Sequence, residues 1–214
     1  MSKRFTVSID GVSGAGKGTL AKILADHFKC EYLPTGNLYR VVAKSCLAHG
    51  EDANIAGSKL LEIAEECLGK NIYDDQLKSD DISKMASTIA KKSELRKLLS
   101  EFQISWISQR EFSVVEGRDI GTKICPEADV KIYLTADPKI RAERRHKELV
   151  KSGAKSSFED VYRDLKERDK RDSERECSPL RRPEGSYLLN TTVLNIDQMV
   201  AQTIDLIEKK LTNR

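Results

Sequence analysis

"SIDGVSGAGKGTLAK", residues 8–22, decides how the rest of this chain is read. An apolar run, "FTVSID" at 5–10, leads in as a strand, and "GTLAKILADHF" at 18–28 leads out as a helix. Between them, glycines at 11, 14 and 16 let backbone N–H groups turn inward without side-chain obstruction. Such a nest, backed by a helix N-terminus, attracts anionic phosphates through its N–H groups and the helix dipole. Lys17 then stands where it bridges β- and γ-phosphates.

The stretch departs from the pattern G-x-x-x-x-G-K-[ST] at one place. Gly18 sits where a magnesium-binding hydroxyl is expected, and Thr19 comes one position late. A magnesium ion tolerates that loss, because it keeps several waters and is held largely by phosphate oxygens. Thr19 is left to turn its hydroxyl toward an α-phosphate. A loop of the form GxxGxGKGT is typical of nucleoside monophosphate kinases, so Gly18 points to a subclass.

Working outward, short apolar strands alternate with longer helical patterns, which predicts a parallel sheet flanked by helices. "EYLPT" (31–35), "SVVEG" (113–117), "VKIYL" (130–134) and "SYLLN" (186–190) supply the other strands, and a helix follows from about Asn37 to Leu47. The last helix is amphipathic through Ile196, Met199, Val200, Ile204, Ile207 and Leu211, with Asn195 as its cap. Residues 48–112 read as three helices, around Leu60–Ala64, Ile82–Ile89 and Leu95–Phe102. A second excursion, about 139–182, holds two charged helices interrupted by "KSGAKSS" (151–157). The expected organisation is one core (1–47, 113–138, 183–214) carrying an insert (48–112) and a covering segment (139–182).

Composition narrows the class. Charged residues are 33% and apolar residues 39%, and no stretch approaches the roughly 18 apolar residues of a membrane span. The N-terminus has no signal-like apolar run. Five separated cysteines without a CxxC read as reduced thiols in a cytoplasmic protein, and the three scattered histidines offer no metal cluster. A net charge of +3 is too mild to imply nucleic acid. Residues 139–182, however, hold 15 Lys or Arg against 10 Asp or Glu, which suits either a solvated helical face or a cover for phosphates.

Phosphoryl transfer needs a second anion site facing the first, and arginine's planar fork grips phosphate in two places. Three stretches supply arginine. "PTGNLYR" (34–40) places Thr35 and Arg40 after a strand end. "EGRDIGT" (116–122) places Arg118 and Asp119 after another, with Glu116 set to orient magnesium-bound water and Asp119 to accept from a sugar hydroxyl. "LKERDKRDSER" (165–175) spaces Arg168, Arg171 and Arg175 as one helical stripe. With Asp164 and Asp172 four residues from Arg168, that stripe reads as a salt-bridged surface helix or as a lid over phosphates.

Taken in order, "IDGVSGAGKGT", "TGNLYR", "MAST…ELR", "VVEGRDIGTKICPEADVKIYL" and "RDKRDSER…SPL" resemble bacterial cytidylate (CMP/dCMP) kinases from end to end. The block "EGRDIGT" followed by "PEADVKIYL" is its most specific part. The resemblance implies an α/β fold of the P-loop NTPase type, a five-stranded parallel sheet flanked by helices, with a helical NMP-binding insert and a lid. It implies phosphorylation of CMP and dCMP by ATP, with Mg²⁺ as Mg-ATP; the expected protein is a cytoplasmic monomer without membrane or nucleic-acid partners. ATP would lie on Gly11, Val12, Ser13, Gly14, Ala15, Gly16, Lys17, Gly18 and Thr19. Thr35, Arg40 and Arg118 would face the CMP phosphate, Asp119 and Arg168 the pentose, and Ser87, Arg96 and Arg175 the cytosine. Lys17, Arg118, Arg168 and Arg171 form the implied catalytic set; no protein atom is an expected direct metal ligand.

This chain departs from the family pattern in three places. "GKNIYDDQLKSDD" (69–81) is too short and polar for the small β-meander many members carry there. Thr35 replaces a usual serine, and Asn190 a usual aspartate. The alternatives are another monophosphate kinase, a nucleotide-binding or RNA-associated module without turnover, and a shikimate- or gluconate-type kinase. The last usually keeps the hydroxyl directly after the lysine.

Overall fold

The computed structural model describes residues 4–151, 153 and 155–213, apart from the side chains of Asp75 and Lys78. Five strands form a parallel sheet in the order β2-β3-β1-β4-β5. They are β1 Phe5–Gly11, β2 Glu31–Pro34, β3 Phe112–Glu116, β4 Val130–Thr135 and β5 Tyr187–Asn190. In the centre, β1 is buried along all seven residues, as a parallel strand covered on both faces must be. It pairs with β3 (Ile9 opposite Glu116) and with β4 (Gly11 opposite Leu134). This register brings the end of β3 beside the start of the glycine loop.

Among the described residues the α-helices are α1 Lys17–Phe28, α2 Thr35–Ala48, α3 Gly57–Cys67, α4 Asp80–Ile89, α5 Ser93–Ser108, α6 Pro138–Lys151, α7 Phe158–Glu174 and α8 Ile196–Thr212. The cap expected at Asn195 is present as a full capping box with Gln198. Helix α2 begins at Thr35, two residues before the sequence places it. Pro34 closes the strand, and Gly36 costs little because first-turn N–H groups have no intrahelical partner. In the 69–81 segment the described residues form one 3₁₀ turn, Asp75–Lys78, and no strand. Of the tip "KSGAKSS", Ser152 and Ala154 lie outside the described residues, as do residues 1–3 and 214 of the expected core.

The chain divides into two compact units. The first joins residues up to 33 with those from 111 onward, and its core sets Val7, Ile9, Leu20, Leu24, Val114, Ile132 and Leu134 among residues of α8 such as Ile207. Each such side chain contributes about 1.5–3 kcal/mol on leaving water. The second unit, Pro34–Arg110, has its own core of Leu38, Val42, Cys46, Leu60, Met85, Ile89 and Leu95. It therefore includes α2, which the sequence assigns to the main core. The apolar face of α2 is buried against α3 and α4, so packing assigns it to this unit. Helices α6 and α7 pack on each other through Ala142, Leu149 and Val161.

Candidate functional site

The glycine loop runs from Gly11 to Gly16 between β1 and α1, with Gly11, Gly14 and Gly16 all at positive φ. Gly11 lies so close to the Leu134 carbonyl of the neighbouring strand that a Cβ has no room. Lys17, the first residue of α1, is buried and donates from Nζ to the Val12 carbonyl at 2.8 Å. Thr191 fixes the loop from the far side, donating to the Ala15 carbonyl at 3.0 Å.

Charge converges on Lys17. Burial, reinforced by Arg118 and Arg168, pushes its ammonium down to about 7, while Glu116 and Asp172 oppose the shift. Two arginines and two carboxylates, from β3, the loop after it and α7, thus act on Lys17 at the start of α1. Concentrating cations in a partly dry site raises their value to a bound polyanion.

The loop after β3 is held from below. Buried Asp10 accepts from the consecutive N–H groups of Ile120 and Gly121, each at 2.8 Å. A five-residue π turn, Ile120–Ile124, follows immediately. Burial raises the Asp10 carboxyl to about 6, against the lowering effect of those two N–H groups. Arg118 and Asp119 project from the segment so anchored. Nothing in the sequence separates Asp10 from an ordinary strand residue, because its partners lie 110 and 111 positions away.

Asp172 is the second residue the sequence reading missed. There it counts as a helix-surface partner of Arg168. In the fold it is buried and accepts from Arg118 Nε at 2.8 Å. Arg175 is almost wholly buried, 4.0 Å from Asp172, 3.7 Å from Asp119, and donates to the Ser178 carbonyl at 2.6 Å. Burial would raise the Asp172 carboxyl, but Arg118 and Arg168 outweigh it and hold it below the ordinary value. Arg171 lies toward the outside of the same helix, within 3.7 Å of Glu167. Arg118, Asp119, Arg168 and Arg175 thus form one cluster around Asp172.

The remaining candidates belong to the second unit. Thr35 and Ser87 are buried, and Arg40 donates to Asn37 at 3.0 Å. Arg96 is buried to 3% exposure, donates to the Ala90 carbonyl at 3.2 Å and lies 5.5 Å above the Tyr39 ring. Asn190 makes its turn as an aspartate would: Oδ1 accepts from the N–H and hydroxyl of Thr192 at 3.0 and 2.6 Å.

Gly18 leaves a small space. A Cβ there lies 3.7 Å from the Tyr32 hydroxyl and 3.9 Å from Glu116 Oε1. Glu116 thus flanks the position where a hydroxyl would otherwise stand, and no group of three or more His, Cys, Asp or Glu suited to a metal occurs among the described residues. This donor set fits a hydrated magnesium ion carried on phosphates, with one carboxylate beside it.

The sequence model of the family described as Cytidylate kinase matches residues 7–209. A cytidylate kinase of Cereibacter sphaeroides strain KD131 is 42% identical over 205 residues, spanning 96% of this chain and 96% of that one. One from Xanthobacter autotrophicus strain Py2 is 36% identical over 212 residues, spanning 97% and 99%. Among solved structures, a gluconokinase from Sinorhizobium meliloti 1021 superimposes with a TM-score of 0.55 at 14% identity, covering 99% of this chain and 97% of that one. A shikimate kinase from Bacteroides thetaiotaomicron gives 0.50 at 10% identity, covering 95% and 98%. These two likenesses show a shared fold. No helix among the described residues is long and apolar enough to cross a membrane.

Proposed function

The chain belongs to the cytidylate kinase family, and on that premise we propose that it transfers the γ-phosphoryl group of ATP to CMP and dCMP. The observation that carries the reading is the positive-φ glycine loop with buried Lys17 on its Val12 carbonyl at 2.8 Å, together with the Arg118–Asp172 pair at 2.8 Å. Residues 11–19 hold the ATP phosphates. Within the first unit, Arg118, Asp119, Arg168 and Arg175 carry the family's CMP roles; within the second, Thr35, Arg40, Ser87 and Arg96 do. Residues 139–182 act as the lid.

An oxygen of the CMP phosphate attacks the γ-phosphorus, and the bond from that phosphorus to the β–γ bridging oxygen breaks, releasing ADP. The attacking oxygen is already anionic near neutral pH, so no side chain need remove a proton. Lys17 leaves the Val12 carbonyl for the phosphates, and Arg168 and Arg171 neutralise charge as it moves. Glu116 would orient water on Mg²⁺, which when bound shields the phosphate oxygens and draws electrons from the γ-phosphorus. Ser87 and Arg96 of the second unit offer donors that suit O2 and N3 of cytosine, and would not suit the amino edge of adenine. The enzyme acts as a monomer in the cytoplasm, which its reduced cysteines suit.

ADP release, followed by a coupled assay on CMP, dCMP, UMP, AMP and GMP, tests the reading. Turnover on CMP and dCMP is expected. Turnover on AMP or GMP with none on CMP overturns it. Light scattering during gel filtration reports the mass, expected near 24.1 kDa.

A further inference from the structure

Helix α7 is fastened to the glycine loop by a pair of side chains, Asp169 and Arg141. Ser13 N–H donates to Asp169 Oδ1 at 3.2 Å, and Arg141 Nη1 donates to Asp169 Oδ2 at 2.6 Å. The same Arg141 nitrogen donates to the Ser13 carbonyl at 2.9 Å, while its Nε donates to the Ala136 carbonyl at 2.9 Å. One residue of the phosphate loop is therefore held at both its N–H and its C=O, by an aspartate from α7 and an arginine from α6. Arg141 is 3% exposed. A Cβ on Gly14 would lie 3.3 Å from Arg141 Cβ and 3.6 Å from Leu165 Cδ1, so helices and loop also pack closely here.

The chemistry of this pair is odd for a phosphate site. A carboxylate on a loop N–H repels the phosphates the loop would hold, and the arginine's fork is turned to carbonyls and to that carboxylate. What the pair does fix is the position of α7, whose Arg168 precedes Asp169 and acts on Lys17.

We propose that Asp169 is a positioning residue for phosphoryl transfer: with Arg141 it locks α7 to Ser13, so that Arg168 is set toward Lys17. The inference rests on the kinase reading above. A displacement of about 1 Å in such a group costs on the order of a hundredfold in rate.

The test is steady-state kinetics per folded molecule, with folding followed by circular dichroism. Asp169→Ala is expected to lower kcat about ten- to a hundredfold, with KM for ATP and CMP within about threefold. Arg141→Ala should do the same, and the double variant should be no slower than the slower single one, because the two act as a unit. Asp169→Asn keeps an acceptor for Ser13 N–H but drops the ion pair, so it tests the idea if the alanine variants fail to fold; a fall in kcat of about fivefold or more is expected. A merely structural clasp would lower Tm and leave kcat per folded molecule unchanged, and that result overturns the proposal. Multiplying losses in the double variant also overturn it. Absence of CMP-stimulated ADP release in the unmodified enzyme would instead remove the kinase reading itself.

Discussion

Arg118 and Asp172, 54 positions apart, are joined by a 2.8 Å hydrogen bond from Nε to Oδ2, and both side chains are largely shut off from solvent. The bond ties the loop after β3 to α7. It also places one carboxylate where Arg118 and Arg175 both need a counter-charge. Removing that charge leaves the arginines facing each other.

Asp172→Asn is therefore expected to raise the CMP requirement at least tenfold while changing the ATP requirement less than threefold. Breaking a buried pair from one side costs about 3–5 kcal/mol, so urea unfolding should show a matching loss. The sign with pH follows from the depressed carboxyl. Its stabilisation is present at neutral pH and lost as pH falls through the folded value below 3.8, a loss the variant should lack. Unchanged CMP kinetics would remove the residue from the acceptor cluster.

Lys17 gives a proton-linkage prediction. Its pKa is about 7 in the folded chain against an ordinary 10.5. Between those values the unfolded chain holds the extra proton, so this lysine makes stability rise with pH across that window. Nucleotide phosphates restore its charge. Calorimetry of ATP binding at pH 8.5, in buffers of different ionisation enthalpy, should report uptake approaching one proton, absent in Lys17→Met. No uptake in the unmodified protein contradicts the assignment.

Two loop glycines should respond in opposite ways. Gly14 has a φ of +71° and almost no room beside Arg141, so Gly14→Ala should cost about 1–2 kcal/mol and raise KM for ATP. Gly18 lies in a helical turn with ordinary van der Waals space around it. Gly18→Ser should leave Tm unchanged or slightly higher, and its hydroxyl beside Glu116 should lower the Mg²⁺ concentration for half-maximal rate. A magnesium dependence identical to the parent's would show that this position does not face the ion.

On the second unit, Arg96→Lys should not be silent. The guanidinium donates to Ala90 and lies over Tyr39. A lysine loses the planar fork, so KM for CMP should rise about tenfold or more with KM for ATP little changed. Equal changes in both constants would place Arg96 outside the acceptor site.

The glycine loop, the strand–helix alternation and the three insert helices were legible because their signals are local: a spacing of glycines, a period of apolar residues, a cap. The arginine stripe was visible too, with a surface helix and a lid both open as readings, but its carboxylate partners were not. Asp172 four residues from Arg168 reads as a surface pair until the fold brings Arg118 beside it. Asp10, Arg141 and Asp169 give no local signal either, since each is defined by a partner on another element. Helix α2 shows the same limit: its apolar face is visible in the sequence, but the α3 and α4 that it packs against are not.

The sequence by itself determined the phosphate loop, the parallel sheet and the family, because these rest on residue type and spacing within short stretches. Only the tertiary structure decided which carboxylate faces which arginine. Burial and charge pairing depend on distances that a linear chain does not contain.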